Sequence, residues 1–298
     1  MARSARAAGD TALRAAAQRG LWSDALRRLL ANRAAATSLL GLALLAGIAI
    51  VGPGLSPYAP DQLDWSMMGS PPDWASRHWL GTDRLGRDLY VRTLHGARVS
   101  LAIALLATLV SLLIGVTWGA IAGHAGGRID EVMMRFVDVL YALPNIFFVI
   151  ILTVVFERSP MLLFLAIGAV GWLTMARVVR GQALSLRHRE FVEAAVSCGA
   201  GPGRVVFRHL VPNLLGPVVV YATLMIPQMI LIESFLSFLG IGIQEPLASL
   251  GNLISDGAAE MESAPWILAV PATCLVLIVF CFNFLGDGLR DALDPREY

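Results

Sequence analysis

The sequence predicts an all-α, polytopic membrane protein with six transmembrane helices and both termini on the cytoplasmic side. Three observations carry that reading. Of the 298 residues, 56% are hydrophobic and only 15% charged, whereas soluble domains carry nearer a quarter. Apolar runs of the roughly 20 residues needed to cross a bilayer occur six times, at Ala34–Leu55, Val99–Ala122, Phe136–Phe156, Met161–Val179, Leu214–Leu239 and Pro265–Leu285. The arginines gather on alternate connections, the pattern of the positive-inside rule.

Residues 1–33 form a tail rich in alanine and arginine, with Arg3, Arg6, Arg14, Arg19, Arg27, Arg28 and Arg33. Within it, Leu21 to Asn32 sets Leu21, Trp22, Ala25, Leu26, Leu29 and Leu30 against arginines, the pattern of a helix lying on the inner membrane surface. The apolar run starts too late for a cleaved signal peptide, and a proline-rich stretch follows it instead of a small-residue cleavage site. The first span, 34–55, gives way to an extracytoplasmic segment, 56–98, that holds Trp65, Trp74 and Trp79. The remaining five spans form a core, 99–289. Glu157 to Pro160 makes a tight turn between the third and fourth spans. A cytoplasmic loop, 185–213, follows the fourth. An outer loop, 240–264, carries Glu245, Asp256, Glu260 and Glu262 and no arginine. Residues 290–298 are a cytoplasmic tail. Arg128, Arg135, Arg177 and Arg180 add to the inside charge. Segment 56–98 dissents with Arg77, Arg84, Arg87, Arg92 and Arg98. It also carries Asp61, Asp64, Asp73, Asp83 and Asp88, and long loops translocate despite charge.

Missing residues argue against chemistry in this chain. The sequence contains no lysine, which removes a phosphate-loop lysine, a Schiff base and a lysine general base. H-E-x-x-H and G-x-S-x-G patterns are missing too, and His78, His95, His124, His188 and His209 are scattered. Cys198, Cys274 and Cys281 form no C-x-x-C pair, so neither a zinc site nor a disulfide framework is expected. The chain is expected to be no enzyme and to hold no metal, cofactor or nucleic acid. Any uphill work then draws on a partner or an ion gradient.

The spans carry little charge. Asp138 lies one turn into the third, where an ion pair with Arg135 is expected. Glu233, among Ser234 and Ser237, either lines an aqueous pathway or hydrogen-bonds to a neighbouring helix. A carboxylate facing lipid is costly, so a pathway or gate role is expected of Glu233, Ser237 and Gln228. Gln228 shares a face with Met225 and Met229 by helical spacing, and such a Met pair is ordinary packing. Gly115, Gly119 and Gly123 form a GxxxGxxxG ladder that permits close helix approach; Gly168 and Gly171 add to it. Pro144, Pro217, Pro227 and Pro271 interrupt the third, fifth and sixth spans.

The stretch Leu186 to Asn213 is polar and sits between two apolar runs. Phe191, Ala195 and Gly199 recur every four residues beside Val192 and Val196, the period of a helix with one apolar face. Gly199, Gly201, Pro202 and Gly203 break it, and Arg204 to Leu210 can form a second short helix that Pro212 stops. By periodicity alone this is an amphipathic loop at the membrane surface or a docking element for a soluble partner.

Glu193, Ala194 and Ala195, followed by Gly199 and then Leu210, Val211, Pro212 and Asn213, resemble the EAA motif. That motif marks the integral membrane permeases of bacterial ABC importers and has the form E-A-A, three residues, G, about nine residues, I-x-L-P. Here His209 and Val211 stand at the isoleucine and leucine positions. The ending Arg208, His209, Pro212, Asn213 resembles the peptide-importer branch. Trp79 to Asp88, Gly96 to Leu101, Ser237 to Pro246, Ser249 to Gly257 and Gly286 to Pro295 resemble further blocks of the same permeases. The extra N-terminal span and tail are similar to the second, C-type permease of dipeptide, oligopeptide and nickel importers.

The resemblance implies a type I ABC importer permease fold in the bacterial cytoplasmic (inner) membrane. It implies a pathway for short peptides shared with a homologous B-type permease, two cytoplasmic ATPases that bind ATP and Mg, and an extracytoplasmic substrate-binding protein. Arg187 to Pro212 would be the coupling helix. Ala194, Ala195 and Gly199 would allow close contact there, while Arg189, Glu190, Glu193 and Arg204 set polar register ahead of Pro212. Nickel or another metal chelate, or glutathione, stays open as cargo, because the binding protein makes most of that choice. An ion-coupled secondary transporter is the alternative from another class; the single docking loop, the lack of a detectable repeat and the few intramembrane charges stand against it.

Overall fold

The computed structural model describes residues 21–155 and 159–293. The tail with Arg3, Arg6, Arg14 and Arg19, half of the turn between the third and fourth apolar runs, and the end of the C-terminal tail lie outside the described residues. Among the described residues the regular elements are helices: α1 (Leu21–Ala31), α2 (Arg33–Val51), α3 (Leu89–Ala125), α4 (Gly127–Tyr141), α5 (Asn145–Val155), α6 (Pro160–Leu186), α7 (Glu190–Ser197), α8 (Pro202–Phe238), α9 (Leu250–Ala259) and α10 (Pro265–Leu293). Five of them, α2, α3, α6, α8 and α10, are long and apolar enough to cross a membrane. The third apolar run, read as one span interrupted at Pro144, lies in the pair α4 and α5, bent by 80°, which counts as the sixth if taken as one span. Pro144 explains the break, because its ring drives the preceding residue out of helical geometry and it has no N–H to donate.

The α1 helix buries Ala25 and Leu29, and Leu29 packs with Ala35 and Ala292 so that the two ends of the described chain meet. Asn32 then caps α2, its side chain accepting from Ala34 N at 3.0 Å. The α3 helix opens at Leu89, well before the apolar run at Val99, because Asp88 accepts from Val91 N at 2.8 Å and caps it. At 37 residues it is about 55 Å long, more than a ~30 Å hydrocarbon layer needs.

The centre of the bundle is the α3–α6 pair. A Cβ on Gly115 would stand 2.6 Å from the Met175 Cβ, one on Gly119 2.5 Å from the Ala176 carbonyl oxygen, and one on Gly123 2.6 Å from the Ala183 Cβ. The ladder therefore does what its spacing predicts and lets the two backbones touch. From the other side Gly168 lies against Val110 and the Ala107 carbonyl, and the Ser111 hydroxyl reaches the Gly168 carbonyl at 3.1 Å.

Pro212 was expected to stop a short helix, and it does not. The chain runs unbroken from Pro202 to Phe238 because Val205–Leu210 is a π-helical turn. Its wider ring, with Val211 N bonding the Val206 carbonyl, makes room for a proline ring that a regular helix would exclude. The outer loop likewise holds a helix that hydropathy alone does not announce. Ser249 and Asn252 close a capping box over α9, a short-range signal readable as Ser followed three residues later by a side-chain acceptor.

Candidate functional site

The hairpin after α6 is built to be seen from outside. Arg189 is extended and precedes α7; Glu190 and Glu193 fill the first turn, where negative charge suits the helix dipole. Of this helix only Val192 is buried, while Phe191 is 39% and Val196 53% exposed, and Phe207 on α8 is 56% exposed. The apolar face expected on Phe191, Ala195 and Gly199 is thus not folded inward. It is presented, ringed by the exposed Arg189, Glu190, Glu193, Ala194 and Arg204, with Ala195 half-buried.

Gly199 ends α7 with φ +83°. Its N–H bonds the Val196 carbonyl at 2.9 Å and the Ala200 N–H the Ala195 carbonyl at 3.0 Å, the pair of bonds that closes a helix in a left-handed residue. No atom lies within 4 Å of where its Cβ would be, so within this chain the glycine serves conformation and not space. Pro202, in the first turn of α8, redirects the chain. Pro212 is exposed on the continuous helix, and the Asn213 side chain donates to the His209 carbonyl at 2.6 Å.

At the opposite end of the bundle, segment 56–88 and the outer loop form one polar cap. His78 Nδ1 and Asp88 Oδ2 lie 2.8 Å apart, both buried, with Tyr58 stacked on the imidazole at 4.1 Å between centroids. Arg87 Nε bonds the buried Asp83 at 2.6 Å, and its Nη1 reaches across to Glu245 Oε1 at 2.8 Å. Arg92, 1% exposed, lies 3.4 Å from Asp83 and 3.7 Å from Glu245. Burial works against the Arg87 charge, but Glu245 and Asp83 outweigh it and hold its pKa above the usual arginine value. Burial also lifts the Asp256 carboxyl above its ordinary range, with the nearby Arg84 pulling the other way. These arginines dissent from the charge rule, and the structure gives each of Arg84, Arg87 and Arg92 an acidic partner in the outer loop.

The three residues expected to line a pathway are not together. Gln228 is exposed on α8, whereas its expected neighbours Met225 and Met229 are buried. Glu233, 0% exposed, is enclosed. The Ser237 hydroxyl donates to Glu233 Oε1 at 2.8 Å and the Ser234 hydroxyl lies 3.4 Å from Oε2. Ser100 and Ser249 bring two more hydroxyls to the same carboxylate. Of the two readings open for Glu233, the structure displays the hydrogen bonding. Ser100 and Ser249 were not foreseen, since they lie about 130 and 15 residues away in sequence and only packing unites them.

Asp138 was expected to pair with Arg135 and instead takes Arg177 Nη2 at 2.8 Å, while Arg135 turns one turn back to Glu131 at 3.3 Å. Arg177 also lies over the Tyr141 ring, 4.0 Å from its centroid. Asp130, Glu131, Arg135, Asp138, Arg177 and Arg180 line a cleft of about 470 Å³ between α4 and α6.

A bundle of membrane-crossing helices with an exposed E-A-A hairpin defines the class as the membrane-embedded component of a transport system. Residues 115–297 match the family described as binding-protein-dependent transport system inner membrane component, and residues 20–72 match the N-terminal TM domain of oligopeptide transport permease C. The chain belongs to this family of inner-membrane permeases. It is 54% identical to the oligopeptide transport system permease protein OppC of Escherichia coli K12, over 94% of this chain and 92% of that protein. It is 50% identical to the OppC of Haemophilus influenzae, over 94% of this chain and 90% of that protein. Among solved structures it is similar in fold to the MetNI methionine ABC transporter in an inward-facing form, with TM-score 0.55 and 17% identity over 68% of this chain and 96% of that one.

Proposed function

We propose that this chain is the C-type permease of an ATP-driven importer of short peptides. It shares the translocation pathway with a homologous B-type permease and takes its cargo from an extracytoplasmic binding protein. The tails, residues 1–33 and 290–298, and the 185–213 hairpin face the cytoplasm; segment 56–98 and the 240–264 loop face outward, as the arginine distribution favours. The observation that carries the coupling role is the hairpin itself. Phe191, Val196 and Phe207 present apolar side chains to solvent, and exposed apolar patches with a polar rim suit a partner surface. Two cytoplasmic ATPases, which hold the ATP and Mg, offer that surface. Arg189, Glu190, Glu193 and Arg204 set the register, and Ala194 and Ala195 allow a close approach.

The path of the motion follows from α8. Because the helix is continuous through Pro212, and through Pro217 and Pro227 inside it, a displacement at the hairpin is carried along one helix about 55 Å long. Gln228, exposed on that helix, faces the pathway. Glu233 and Ser237 sit behind it and hold the outer cap.

The test is reconstitution of this chain with a partner permease, two ATPases and a binding protein in proteoliposomes. Labelled di- and oligopeptides accumulate only with ATP inside if the reading is right. Uptake driven by an ion gradient without ATP, or uptake of nickel or glutathione with no peptide uptake, would overturn it.

A further inference from the structure

Among the described residues the buried carboxylate of Glu233 makes no ion pair within 4.0 Å; it is surrounded by hydroxyls, and their sources are what matter. Ser234 and Ser237 belong to α8, Ser100 to α3, and Ser249 is the residue that caps α9. Three of these hydroxyl oxygens already accept a backbone N–H from the outer loop or its helix. Ser237 accepts from Ile243 at 3.1 Å, Ser100 from Leu250 at 3.2 Å and Ser249 from Asn252 at 3.4 Å. A hydroxyl has one proton to give; Ser237 gives its proton to Glu233 at 2.8 Å, and the Ser100 and Ser249 hydroxyls stand beside the same carboxylate. The result is a two-layer knot in which outer-loop amides hold serines and serines hold Glu233. A carboxylate accepts up to about four such bonds.

Beyond the knot, α9 makes a polar bond to the end of α8, the Ser255 hydroxyl to the Phe238 carbonyl at 2.9 Å. Gly251 rests directly against the Ser234 backbone and Gly257 against Leu268 of α10, contacts of shape. Glu233 lies on the same unbroken helix as the hairpin, at its far end.

We propose that Glu233 is the latch of the outer cap, a positioning residue that keeps α9 and the 240–249 stretch seated on α3 and α8 until a tilt of α8 breaks the knot. This rests on the coupling and orientation proposed above. Glutamine is no substitute, because its NH2 would face hydroxyl oxygens that already accept a proton, leaving at least one serine proton without an acceptor.

The test places a reporter in the cap. Ala248, 2% exposed, is replaced by cysteine in a chain carrying Cys274→Ala and Cys281→Ala, with Cys198 kept as a reporter of the opposite side. The assembled transporter in intact cells is treated with a membrane-impermeant maleimide. Glu233→Gln is expected to raise the labelling rate at position 248 about tenfold, the loss of one hydrogen bond to a charged group. It is also expected to raise ATP hydrolysis without peptide while lowering peptide uptake, a divergence that simple loss of folded protein does not produce. Ser100→Ala keeps the carboxylate and removes one donor, so it gives an intermediate rate even where Glu233→Gln fails to assemble. Equal labelling rates in the parent and in both variants would overturn the latch. Labelling of Cys198 in intact cells would instead overturn the orientation, and the same rate comparison in permeabilised cells then decides the latch.

Discussion

Arg180 and Asp130 meet through two parallel bonds, Nε to Oδ1 at 2.5 Å and Nη2 to Oδ2 at 2.6 Å, the fork geometry in which guanidinium and carboxylate bind most strongly. The pair fastens the first turn of α4 to α6, and Arg177 with Asp138 repeats the link further along both helices. Where α3 is held to α6 by missing side chains, α4 is held by charged ones.

Asp130→Asn is therefore expected to cost about 1–2 kcal/mol, below the figure for a fully buried pair because the Arg180 side chain is a third exposed. Thermal unfolding of the purified transporter in detergent measures it. The swap Asp130→Arg with Arg180→Asp should regain part of the loss. A melting temperature unmoved by Asp130→Asn would mean that apolar packing of Met134 and Val137 suffices.

Gly119→Val should be far worse. The first added carbon falls 2.5 Å from the Ala176 carbonyl oxygen and 2.9 Å from Arg180 N, and backbone cannot yield as a flexible side chain can. Overpacking of this kind costs roughly 1–3 kcal/mol or more. Gly47→Ala is the control: no atom lies within 4 Å of that site, and alanine favours a helix by about 1 kcal/mol. Size-exclusion profiles of the two variants should separate them clearly.

What the sequence reveals here depends on the range of the interaction. Hydropathy locates α2, α6 and α10 because crossing a membrane demands an unbroken apolar run, and the glycine ladder is legible because four-residue spacing fixes one helix face. The break at Pro144 is legible for a covalent reason. The continuous α8 is not, since a proline reads as a stop unless the π-helical turn before it is known. The Glu233 knot and the Arg87–Glu245 bridge are invisible for a different reason. Their members are separated by up to 158 residues, and nothing local to Ser100 or Glu245 marks them as partners.

That bridge is unequal, and its two halves should respond differently. Arg87 and Asp83 are both nearly buried, whereas Glu245 is half exposed. Removing Arg87 leaves the buried Asp83 with two backbone N–H donors, from residues 85 and 87, and with Arg92 as its more distant cation, so Arg87→Ala should cost about 2–3 kcal/mol. Glu245→Ala removes an interaction that water can partly replace and should cost about 1 kcal/mol or less. Limited proteolysis of segment 56–88 in right-side-out vesicles reads the difference. Cleavage that accelerates equally in both variants would place the hold elsewhere.

Gly199 and Glu193 separate two explanations of the hairpin's residues. Gly199→Ala forces a side chain into φ +83° and should cost about 1–2 kcal/mol locally, whereas Gly199→Asn, which tolerates that conformation, should keep α7 closed. If conformation is all the glycine provides, Asn restores peptide uptake and Ala does not. If the ATPase groove also needs the empty space, Asn fails as Gly199→Arg does. Glu193→Lys tests the charge. The loss of a favourable dipole contact is worth only about 0.5 kcal/mol, so membrane insertion and the melting of the helical bundle should be unchanged. If the hairpin is the coupling element proposed above, co-purification of the ATPases and peptide uptake should nevertheless be lost, because Glu193 is exposed in the first turn and its reversed charge would meet the partner. Retained co-purification and uptake in Glu193→Lys and Gly199→Arg together would remove the coupling role from this hairpin.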